Sequence, residues 1–124
     1  MRFGQAVVIV DGETNKEMFL GDEVQRVKID SALSGANLLV AAVADKKIKV
    51  LAVFLIASAE VNVIFKSDTT AISGTIPLTT NSGFVLPSPL IQEHHWMETA
   101  VGKALNLTLS DAISVGGCML YYVQ

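Results

Sequence analysis

The chain has one cysteine, Cys118, among 124 residues, so no intrachain disulfide can staple it. A lone thiol in an apolar stretch fits folding in a reducing cytoplasm and reads as a buried, unreactive cysteine. Histidine is nearly as scarce, with His94 and His95 side by side and no other. In an extended strand, neighbouring side chains point to opposite faces. His95 would then share a face with Glu93, and His94 with Glu98. Two ligands on a face fall short of the four that a structural zinc site wants, so no metal and no cofactor are expected. Charge is sparse too, at 17% of residues with a net of −3. That gives no electrostatic ground for binding nucleic acid or an anionic membrane.

The longest apolar run, Val50 to Ala59, stops at Glu60. It is well short of the roughly 20 residues of a membrane-spanning helix. No secretory leader is visible, because Arg2 precedes a short mixed segment and then Asp11 and Glu13. A G-x-S-x-G nucleophile elbow, a Walker A loop and a G-x-G-x-x-G loop are all missing. These absences point away from an enzyme, and none is expected.

What is present is aliphatic. Hydrophobic residues make up 51% of the chain and aromatics only 6%, so branched aliphatic side chains must build the core. The length suits one domain. Period-two alternation dominates. Leu105, Leu107 and Leu109 alternate with Asn106, Thr108 and Ser110, and Val61, Val63 and Phe65 alternate with Asn62, Ile64 and Lys66. Turn residues recur at Ser34-Gly35, Ser67-Asp68, Ser73-Gly74, Asn81-Ser82-Gly83 and Ser110-Asp111. Eight to ten short strands and no long helix are expected. The fold class is all-β, a jelly-roll-like β-sandwich. The segment His94 to Glu98 reads as one of the strands. Gly116-Gly117 in the last strand reads as a bulge or bend.

Residues 1–22 differ in character and read as an N-terminal arm or edge hairpin, ahead of a sandwich domain at 23–124. A short apolar run, Ala6 to Val10, precedes the polar DGETNKE, and Met18-Phe19-Leu20 then forms an isolated cluster. Phe3, Val7, Ile9 and Phe19 are the residues expected to hold this arm to a neighbour.

The strand beginning at Lys47 poses a problem. Simple alternation puts Ile48, Val50, Ala52, Phe54 and Ile56 on one face, taken as the core face. Leu51, Val53 and Leu55 then fall on the other face and need cover. Either residues 1–22 fold back over them or a neighbouring subunit covers them; the neighbour is the expectation, which makes these three the candidate subunit contact.

Trp96 is the only tryptophan. It reads as a core or interface anchor, and the competing reading is a platform on which a sugar stacks, with His94 and His95 around it.

The run from Val61 to Gly117 also resembles a family of small proteins of tailed bacteriophages, some of them akin to capsid cement (decoration) proteins. The resemblance rests on Val63, Phe65 and Ser67; on Ser73-Gly74; on Leu86-Pro87; on Trp96, Thr99, Gly102, Leu105 and Leu107; and on a glycine, Gly116 or Gly117, in the last strand. It spans about residues 36 to 124. It departs from the family at His95, where a small residue is usual. The resemblance implies a homotrimeric structural protein on the outer surface of the virion, made in the host cytoplasm, with the major capsid protein as partner. The alternative is a head-fibre or tail-associated module that reads host glycans.

Overall fold

Leu105, Leu107 and Leu109 all point into the core, as their alternation requires, and so do Val61, Val63 and Phe65 on the neighbouring strand. The computed structural model describes residues 23–124. The arm residues Phe3, Val7, Ile9 and Phe19 lie outside the described residues.

Ten strands follow: β1 (Gln25–Ser31), β2 (Gly35–Val40), β3 (Ile48–Ala57), β4 (Val61–Ser67), β5 (Thr70–Ala71), β6 (Ile76–Leu78), β7 (Gly83–Leu86), β8 (Met97–Glu98), β9 (Leu105–Leu109) and β10 (Val115–Val123). One sheet runs β1-β10-β3-β7, with β8 also on β3. The other runs β2-β9-β4-β5, with β6 also on β4. Every pairing is antiparallel. The order has a simple logic. The first half of the chain pairs with the second half in reverse, β1 with β10, β2 with β9, β3 with β7 and β8, β4 with β5 and β6. The long hairpin is then wrapped so that β10 meets β3 and β9 meets β4. That is a jelly roll, an all-β sandwich of two sheets.

The turns sit where the sequence marked them. Asp68 and Asn81 take positive φ values of 56° and 61°, a region that Asp and Asn tolerate better than most residues. Ser82 closes its turn by accepting from the Thr79 amide at 2.7 Å.

The face assignment of β3 needs correction. Leu51, Val53 and Leu55 are buried within this one chain, whereas Phe54 and Ile56 are about half exposed. The reason is a β-bulge. Ala52 pairs with Leu120 and Val50 with Tyr121, so Leu51 is an extra residue without a partner on β10. One inserted residue resets the alternation. Ile48 and Val50 face the core before the bulge, and Val53, Leu55 and Ala57 face it afterwards. The three residues expected at a trimer contact are therefore covered by the chain's own fold and present no surface to a neighbour.

The glycine pair is corrected as well. Pairing is regular through Gly116 and Gly117, and the irregularity falls at Leu120/Tyr121. Gly117 answers a different demand: a Cβ there would lie 1.9 Å from the Phe54 carbonyl oxygen.

Two predictions follow from these positions. Leu55→Ala should cost about 2–5 kcal/mol, while Phe54→Ala should stay within about 1 kcal/mol, both read from denaturant unfolding. Equal costs would overturn the bulge assignment. Gly117→Val should cost roughly 3 kcal/mol or more. Gly116→Val, where the nearest atom to a Cβ is 3.8 Å away, should be tolerated within about 1 kcal/mol.

Candidate interaction surface

The reset at Leu51 sends large apolar side chains outward. On the outer face of the first sheet the strand registers place Lys28, Cys118, Phe54 and Val85 in one row. Arg26, Leu120 and Ala52 form the next row, and Asp30, Gly116, Ile56 and Gly83 the row on the other side. Phe54, Ile56 and Val85 are 47%, 55% and 69% exposed. Beside them Ala52, Phe54, Val85, Pro87, Cys118 and Leu120 line an open groove of about 270 Å³, with Arg26 at its rim. An apolar surface of this kind on a folded domain is a candidate interaction surface.

The second feature is the connection from β7 to β8. It was expected to end in a strand at His94, but it forms a single 3-10 turn, Gln92–His94, and only Met97–Glu98 pairs with β3. Pro87 and Pro89 remove two ladder donors, which favours a loop that leaves the sheet and returns. Its base is pinned: the Trp96 indole N–H donates to the Pro87 carbonyl at 2.8 Å, and the Trp96 amide to the Val50 carbonyl at 2.8 Å. Thr99, 1% exposed, accepts from the Ile48 amide and donates its own amide to the Ile48 carbonyl, both at 2.9 Å.

Beneath the loop lies a polar latch. Glu98 receives Lys47 Nζ at 2.8 Å on one oxygen and faces His95 Nε2 at 2.9 Å with the other. The Tyr122 hydroxyl donates to the Gln92 carbonyl at 3.0 Å, and its ring meets the His95 ring edge-on, with centroids 6.1 Å apart. His95 is thus partnered by Glu98 instead of Glu93, because the 3-10 turn breaks the strand alternation that separated them. His94 is exposed. Among the described residues no group of three or more His, Cys, Asp or Glu is placed to hold a metal ion.

The latch holds up an apolar protrusion. Leu90 is fully exposed, and Ile91 is 51% exposed. Trp96, 48% exposed, stands at the mouth of a pocket of about 380 Å³ between the sheet edges. Its neighbours there are Phe65, Ile72, Ile76, Phe84, Leu86 and Met97. The one polar side chain, Ser73, already accepts from the Phe65 amide and donates to the Gly74 carbonyl. The tryptophan is therefore neither sealed in the core nor set among polar groups. Sequence reasoning missed Leu90 and Ile91, although an apolar pair inside a proline-bounded loop was a visible signal.

Hydrogen bonds from Lys47 and then His95 hold the Glu98 carboxyl below its usual value of 4.5, against a smaller opposing effect of burial. A lowered folded-state pKa stabilises the fold above the unfolded value and loses that contribution as pH falls through the folded one. Both partners of the Lys47–Glu98 pair are 38% exposed, so solvent screening limits its worth to about 1 kcal/mol or less. Glu98→Gln should therefore destabilise by up to about that much near neutrality. Unfolding curves of the two proteins should converge as pH drops below 4.5; a gap that widens in acid would contradict the latch.

A scan against protein-family models and searches of curated proteins and of solved structures find no match to this chain.

Proposed function

We propose that this chain is a structural virion protein, a capsid cement protein that works as a homotrimer on the outer surface of a phage head. The observation that carries the reading is the fixed apolar protrusion, with Leu90 fully exposed and Ile91 and Trp96 half exposed above the latch. An exposed leucine held on a pinned loop loses little conformational freedom when it enters a partner, and preorganisation of that kind favours binding. The jelly-roll frame and the resemblance in the sequence agree with this role. The work done would be mechanical. Each trimer would bridge major capsid subunits, and modest contacts repeated around a shell would act together.

The glycan-reading alternative would set Trp96 beside free polar groups, since sugars are recognised through their hydroxyls. Here its indole N–H is taken by Pro87 and the adjoining pocket is apolar, which favours protein contact over sugar.

The test uses phage heads stripped of, or lacking, their outer protein. The wild-type chain should co-sediment with them and raise the temperature at which they release DNA. Leu90→Asp should keep the unfolding midpoint of the free protein and weaken head binding by about tenfold or more, as expected for loss of a buried leucine contact. Absence of wild-type binding would overturn the capsid reading. Unchanged binding by Leu90→Asp would overturn the role of the loop.

A further inference from the structure

Most edges of the two sheets are guarded. β1 carries Arg26, Lys28 and Asp30, and such charges discourage strand addition. β2 has an irregularity between Leu38 and Val40, and β5 is two residues long. β6 holds Pro77, opposite Asn62. Asn62 directs its amide to Ser110 Oγ and its carbonyl to the Ser110 amide, so the Pro77 position turns to the open flank with no N–H to offer. β7 has neither charge nor proline, and among the described residues no strand lies beyond it. The Ala57 amide donates to the Ser82 carbonyl at 2.8 Å. Hydrogen bonding alternates along an antiparallel pair. In the register that sets Phe54 opposite Val85, the Phe84 and Leu86 backbone groups therefore face β3. The N–H and C=O of Val85 face the open flank, with no partner among the described residues.

The side chains agree with the backbone. Phe84 and Leu86 are only half buried, because the 380 Å³ pocket lies beside them, with Ile72 and Ile76 also lining it and Trp96 at its mouth. A strand laid along β7 sets alternate side chains beside Phe84 and Leu86, and so into this space. Its volume is more than twice the roughly 150 Å³ that houses a benzene, which leaves room for an aromatic side chain and an aliphatic neighbour. No charged group lines it, and Ser73 is already bonded, so the arriving side chains must be apolar.

We propose that β7 and this pocket form a docking site for an extended segment of another protein. The segment adds to the sheet through the Val85 N–H and C=O and inserts alternate apolar side chains, one of them aromatic. Main-chain bonds then supply affinity, and the pocket supplies selectivity. The apolar strands of the described chain are already paired within its own sheets, which leaves the place to a partner. No phage head enters this contact, so its test stands apart from that of the capsid reading.

The probe is the peptide acetyl-TVTFTVT-amide, added to the full chain. Its valines and phenylalanine share one face when extended. Trp96 is the only tryptophan and stands at the pocket mouth, so its emission should change saturably with peptide. Hydrogen exchange at the Val85 amide should slow at the same time. N-methylation of the two threonines beside the phenylalanine removes N–H groups that would face β7 and should abolish both effects. Val85→Pro should still fold, because the N–H it removes has no ladder partner. It should bind the peptide roughly five- to tenfold more weakly, as expected for one net hydrogen bond. No response to the parent peptide would overturn the proposal. An equal response to the N-methylated peptide would overturn it as well, since that marks apolar contact without strand addition. So would protection of Val85 that appears without peptide and grows with protein concentration, which gives the edge to a second copy.

Discussion

Strand β3 is hydrogen-bonded along both edges, to β10 on one side and to β7 and β8 on the other. A central strand has no freedom to slip without moving everything paired to it. Its side-chain period is fixed at two, so a single unpaired residue decides which side chains lie inside. Leu51 is that residue. With it, Ile48 and Val50 at one end and Val53, Leu55 and Ala57 at the other all reach the core. The same shift turns Phe54 and Ile56 to the solvent side. The apolar outer face therefore arises from the device that completes the core.

This explains which parts of the fold could be read from the residues. Strands β4 and β9 are apolar on one side and largely polar on the other, so alternation alone assigns their faces. In β3 the run from Val50 to Ala57 is apolar at every position. Either phase buries hydrophobic side chains there, and the choice rests on where the bulge falls in the pairing with β10. Pairing register is a property of two distant segments and leaves no mark in either one alone. The all-β class and most turns were legible because turn chemistry is local. The jelly-roll order was legible only as a class, since strand count and spacing suit several sandwiches.

The latch was hidden for a related reason. Alternation placed His95 with Glu93, but Pro87 and Pro89 take the chain out of the sheet, and it re-enters only at Met97. The partners of His95 then come from elsewhere: Glu98 from the returning strand, and Tyr122 from the outward side of β10. Tyr122 is 2% exposed yet stands apart from the inter-sheet core. It is buried by the loop itself, its hydroxyl satisfied by the Gln92 carbonyl. A loop with almost no regular structure is held by side chains that it in turn covers.

The two sheets thus present different outer faces. On the second sheet the registers place Leu38 beside Asn106 and Lys66, and Ala36 beside Thr108 and Ile64. Apolar side chains there are interrupted by an amide and an ammonium group in one row and by a hydroxyl in the other, which suits contact with water. On the first sheet Cys118, Phe54 and Val85 adjoin in one row, with Leu120 and Ala52 in the next. The protrusion carrying Leu90 and Ile91 leaves from that same sheet, through Pro87 at the rim of the groove. Both apolar features are thus organised by β3 and its neighbours. A partner that engages the loop approaches the side of the sandwich where the bulge has placed the exposed hydrophobic surface.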